Sequence, residues 1–148
     1  VADFLPSAGT PQMVQQAIVT PGYTASPFVS NAALEVDAAE KVVDGLRIRV
    51  DSADVRSGRA GLLRFVVSDA ASGAPVTDLE PYLGAPGHLL IANPDLTETI
   101  HAHPEGRTAG GPDVLFGPVI PSPGLYKLWV QVQRRGRVIT APFVVRVP

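Results

Sequence analysis

The chain has 148 residues, a formal net charge of −2, no cysteine, and 18% charged residues against 45% hydrophobic ones. That length suits one ordinary domain with a real core. Near-neutral charge with scattered arginines argues against an electrostatic grip on nucleic acid or an anionic membrane. Without cysteine there are no disulfides, thiolate nucleophiles, zinc fingers or His–Cys copper sites, so histidine, carboxylate and backbone remain as the ligating groups.

Residues 1–33 carry a single formal side-chain charge, Asp3, and four prolines, Pro6, Pro11, Pro21 and Pro27. This composition predicts a Pro-rich arm or linker, with the folded domain over 34–148. Within the arm, Met13 to Thr20 has the makings of an edge strand. Val1 at the start, with Met13 as the only methionine, points to a missing precursor N-terminus, whether a signal peptide or lipoprotein leader was removed or a boundary was chosen. No run approaches the ~18 apolar residues of a membrane span, so direct membrane insertion is not expected.

Asn31 to Val43 reads either as a short helix before Gly45 or as a strand turning through Asp44-Gly45. Beyond it the period becomes two. Leu46, Ile48 and Val50 alternate with Arg47 and Arg49, the mark of a strand with one buried face. Further strands are expected over Leu62–Ser68, Gly87–Ala92, Thr97–His103, Pro112–Phe116, Leu125–Gln133 and Val138–Val147, the last two joined by a hairpin loop at 134–137. About seven strands and little helix predict an all-β fold, an antiparallel immunoglobulin-like β-sandwich preceded by the Pro-rich arm. In the Leu125–Gln133 strand, Tyr126, Leu128 and Val130 share one face and Trp129 takes the other; aromatic residues in such strands usually belong to a core.

The three histidines, His88, His101 and His103, lie close together in sequence. On a strand His101 and His103 point the same way, with Ala102 opposite. A tight turn centred on Pro94-Asp95 would set His88 directly across from His101, sending all three rings to one face and Leu89, Ile91, Ile100 and Ala102 to the core. Three neutral imidazoles suit Cu(II) or Zn(II), with water, Glu105 or Asp113 as a further ligand. The competing reading makes the histidines hydrogen-bonding supports for the loop between Gly84 and Gly111. The bend Pro81 to Gly87, which contains Tyr82, is expected to deliver the chain into the His88 strand. Hydrolytic, nucleotide and cupin motifs are absent or mis-spaced, and a His₃ zinc hydrolase would lack a general base, so no catalytic or organic-cofactor site is expected.

Three segments carry a family resemblance: Pro75 to Leu89, with Gly84-Ala85-Pro86-Gly87-His88; Ile100-His101-Ala102-His103-Pro104; and Pro123-Gly124-Leu125-Tyr126 running on to Val130. Over roughly Gly45 to Val147 the chain resembles the exported bacterial YtkA-like domains and their heavy-metal-associated relatives. The resemblance implies an immunoglobulin-like sandwich, an extracytoplasmic location and the company of copper-handling proteins, with the pattern's histidines falling on His88, His101 and His103. The function expected is a small exported binding domain for copper or another transition metal; the alternative is a non-catalytic structural or protein-interaction module without metal.

Overall fold

The structure is a computed structural model and describes residues 2–4, 12–14, 21–22, 33–104, 106 and 110–148. The chain divides into two compact units, Val1–Ala33 and Leu34–Pro148. In the first, β1 (Ala2–Phe4) pairs antiparallel with β2 (Gln12–Val14). The strand expected over Met13–Thr20 is therefore seen at Met13 and Val14, and 15–20 lies outside the described residues.

The second unit contains β3 (Glu40–Val43), β4 (Leu46–Asp51), β5 (Leu63–Asp69), β6 (His88–Ala92), β7 (Thr99–Ala102), β8 (Asp113–Phe116), β9 (Gly124–Arg134) and β10 (Arg137–Val147). They form two antiparallel four-stranded sheets, ordered β10-β9-β6-β7 and β3-β4-β5-β8. Among the described residues there is no helix, so none is long and apolar enough to cross a membrane. The fold is the β-sandwich expected.

The segment left open between helix and strand is resolved by its turn. Asp44 and Gly45 have φ of 47° and 79°, the positive pair a two-residue hairpin turn requires, and Val43 pairs with Leu46. Glu40–Val43 is thus a strand, which adds β3 to the strands read from the sequence. Just before it, Asp37 and the backbone of Val144 bond reciprocally, at 3.3 Å from the Asp37 N–H and 3.0 Å to its carboxylate. This contact occupies the outer edge of β10 at Val144.

Alternation places the core between the sheets. Leu46, Ile48 and Val50 from β4 and Leu63, Phe65 and Val67 from β5 meet Leu89, Ile91, Leu128, Val130, Ala141 and Phe143 from the other sheet. Phe65 is the hub: its ring lies 5.7 Å edge-on from Phe116 and 5.8 Å from Phe143 across the sandwich. Burying a side chain of this size contributes about 1.5–3 kcal/mol.

Tyr126, near the start of β9, is also buried. Its hydroxyl donates to the Glu98 carboxylate and lies 3.0 Å from the carbonyl of Ser122, four residues upstream, much as in the tyrosine corner of immunoglobulin-like sandwiches. Ser122 Oγ donates to the same carboxylate at 2.6 Å. Hydrogen bonds from Ser122 and Tyr126 hold Glu98 below the ordinary carboxylate range. Burial, then the bond to and charge of Glu98, push the Tyr126 phenol up to about 12. A lowered carboxyl contributes stability above its unfolded pKa and loses it as pH falls; a raised phenol contributes below 10.0 and loses it as pH rises toward about 12. Thermal melts across pH should therefore show both an acid and an alkaline decline. In Tyr126→Phe the melting temperature should be lower at neutral pH, and the component of the alkaline decline between pH 10 and 12 should be missing.

Candidate metal centre

The β6–β7 hairpin positions two of the histidines and aligns the third. Its loop contains the turn expected at 93–96, with Leu96 N–H donating to the Asn93 carbonyl at 3.1 Å. Pairing does not resume there. Leu96 takes the left-handed conformation at φ 59°, and the Asn93 side chain accepts from the Glu98 N–H at 2.9 Å and donates to Thr97 Oγ1 at 2.9 Å. The ladder restarts at Ala92↔Thr99. This corrects the expected register: Leu90, not His88, faces His101. Beyond the end of the ladder at Leu89↔Ala102, the His103 ring centroid lies 4.8 Å from that of His88. Because the slip is by two residues, each side chain keeps its face. Leu89 and Ile91 remain fully buried, and Ile100 and Ala102 pack against the core, as anticipated.

All three imidazoles consequently gather at one place. Ring centroids are 5.5 Å apart for His88–His101 and 4.8 Å for both His88–His103 and His101–His103. One ring nitrogen from each can be chosen so that all lie within 4.8 Å of one another. His88 Nδ1 lies 3.3 Å from His101 Nε2. Nitrogens bound at 2.0–2.1 Å to a tetrahedral ion lie about 3.3 Å apart, so this pair already has ligand spacing. His101 and His103 are exposed, where a side chain adjusts at little cost, whereas His88 is buried.

The turn preceding β6 fixes the tautomer of His88. Leu83 and Gly84, with φ of 48° and 81°, form a two-residue turn closed by reciprocal bonds between Tyr82 and Ala85. The Tyr82 carbonyl lies 2.9 Å from His88 Nε2 and accepts its proton, so in the neutral ring Nδ1 is the lone-pair nitrogen, and it faces His101 Nε2. A metal-ligating histidine is commonly oriented in this way, by donating its second N–H to a carbonyl. The Tyr82 ring packs edge-on to His88 at 5.5 Å. Gly87 lets this arrangement meet the sheet: a Cβ there would lie 2.8 Å from the Gln131 carbonyl oxygen, and His88 pairs with Gln131 on β9.

Of the two further ligands considered, Asp113 is placed elsewhere. It lies on β8 of the opposite sheet and holds Arg64 through two bonds of 3.0 Å. Glu105 lies outside the described residues. Trp129 corrects the expectation of an aromatic core residue. It stands on the outer face of β9 and, with His88, Leu90, His101, Gln131 and Thr140, lines a groove of about 380 Å³. The signal was present in the sequence, because alternation sets Trp129 opposite Leu128 and Val130.

Residues 41–148 match the family described as a domain of unknown function, DUF8832. The chain belongs to that family. No curated protein matches the sequence. Among solved structures, the ZirS C-terminal domain is similar at 14% identity and a TM-score of 0.45, over 92% of this chain and 87% of that one. The DUF8832 match spans every element that builds the three-histidine cluster.

Proposed function

We propose that this DUF8832 domain is an extracytoplasmic, non-catalytic module that binds one transition-metal ion through His88, His101 and His103. The observation that carries the reading is the convergence of the three rings together with the Tyr82 carbonyl, which binds His88 Nε2 while Nδ1 faces His101. Imidazole suits both copper and zinc, and at a given nitrogen site Cu(II) binds more tightly than Zn(II), so copper is the ion proposed. The extracytoplasmic location rests on the resemblance to exported YtkA-like domains.

Trp129 supplies the test, being the only tryptophan and lining the same groove as His88 and His101. Titrating tag-free protein with Cu(II) at pH 7.5 should quench its fluorescence and saturate at one equivalent, with elemental analysis giving one copper per chain. Cu(II) or Zn(II) should also raise the melting temperature. Absence of both saturable quenching and stabilisation would overturn the reading. A scaffold role remains as a second reading because His88 is buried and tied to Tyr82; it predicts a folding defect on His88 replacement and no response to metal.

A further inference from the structure

The groove beside the histidines is larger than a metal ion needs. Its volume of about 380 Å³ falls within the roughly 300–1,000 Å³ usual for small-molecule sites, and it opens on His88 and His101. Its apolar residues are Leu90, which is 37% exposed although it sits mid-strand, and Trp129. Lys127 Nζ lies 5.3 Å from the Trp129 ring centroid, orienting the indole and bringing positive charge to this face. At another point on the lining, Gln131 Nε2 donates to Thr140 Oγ1 at 3.1 Å. The threonine oxygen accepts that bond, so its own proton remains for an acceptor on a ligand.

We propose, resting on the metal reading above, that the groove seats the organic part of a metal chelate: a small N,O-bidentate ligand with an aromatic body, of the aromatic amino-carboxylate class. Three imidazoles occupy three positions of a Cu(II) ion and leave room for two donors. An amine nitrogen, after releasing one proton to water, and one carboxylate oxygen fill them. The ring then lies on Leu90 and Trp129. The second carboxylate oxygen meets the Thr140 hydroxyl. An apolar surface joined to an open coordination position favours this class over a free inorganic anion, which would leave Leu90 and Trp129 uncovered.

Calorimetry and the visible copper band, read on protein already loaded with one equivalent of Cu(II), compare L-phenylalanine with glycine, which have the same chelating head. Phenylalanine should bind about tenfold more tightly, since only its ring covers the apolar surface. In Leu90→Ser and Trp129→Leu that advantage should fall toward unity while Cu(II) alone still binds. Equal binding of the two amino acids to copper-loaded wild type overturns this proposal and leaves the metal reading intact. So does a phenylalanine advantage that persists in both variants. Failure of Cu(II) to bind wild type at all overturns the metal reading itself, and this proposal with it. If Leu90→Ser does not fold, Trp129→Leu decides.

Discussion

Replacing His101 and His103 together by Gln should abolish metal-dependent stabilisation while leaving the metal-free protein folded. An ion present at a hundred times its dissociation constant stabilises the native state by about 2.7 kcal/mol. That gain should be seen in wild type and lost in the double variant, with affinity reduced at least about 100-fold, because loss of even an outer partner of a ligand costs 10–100-fold. The apo-protein should tolerate the change because both side chains are exposed on the outer face of the sheet. His88→Ala should behave differently. It should lose metal and also destabilise the apo-protein by about 1–3 kcal/mol, since a buried ring and its bond to the Tyr82 carbonyl disappear together. Melting curves of the three proteins, with and without Cu(II), check both statements. Metal-free unfolding of the double variant would mean that the exposed histidines are structural. Binding should also release protons and weaken in acid, because only neutral imidazole ligates.

Gly87→Ala should damage fold and site at once. The added methyl would press to 2.8 Å from the Gln131 carbonyl oxygen, a backbone atom that cannot swing aside, and to 3.4 Å from Val114 Cγ1. Relief requires the start of β6 to move away from β9, breaking the His88↔Gln131 pairing. Overpacking of this kind costs about 1–3 kcal/mol. The displaced His88 should also lower metal affinity. Gly84→Ala is the control: it meets nothing within 4 Å but sits at φ 81°, so it strains the turn without pushing on β9. Denaturant melts and metal titrations of both variants separate the two effects. Unchanged stability and affinity in Gly87→Ala would show that β6 has slack at this point.

The sandwich was legible because two-residue periodicity and turn chemistry agree at most positions. Leu46, Ile48 and Val50 declare a buried face through alternation alone, and Arg135-Gly136 closes β9–β10 as an ordinary two-residue turn, at φ 52° and 70°. β3 was not decided by its residues, since Glu40, Lys41 and two valines suit either structure; Asp44-Gly45 decided it. The histidine convergence was legible in its faces but not in its register. Pro94-Asp95 looks like the centre of a complete loop, whereas the Asn93 side chain extends that loop by bonding Thr97 and Glu98. The Tyr82 carbonyl could not be found in sequence, because backbone acceptors carry no signature and this one depends on the Leu83-Gly84 turn. Trp129 was placed on the proper face and given the wrong role, because aromatic frequency in strands outweighed its position opposite the core.

The loop at 93–98 also makes the site sensitive to counting. Lengthening or shortening it by two residues would slide β7 along β6 yet return His101 and His103 to the same face. Changing it by one would point both imidazoles into the sandwich, among Phe65 and Leu128, and bring Ile100 and Ala102 out to water. That arrangement buries polar rings and exposes aliphatic ones, so the sequence selects against it energetically. Loop length therefore acts as a parity lock: the same hydrophobic pattern that folds the hairpin admits only those registers in which the histidines share the outer face.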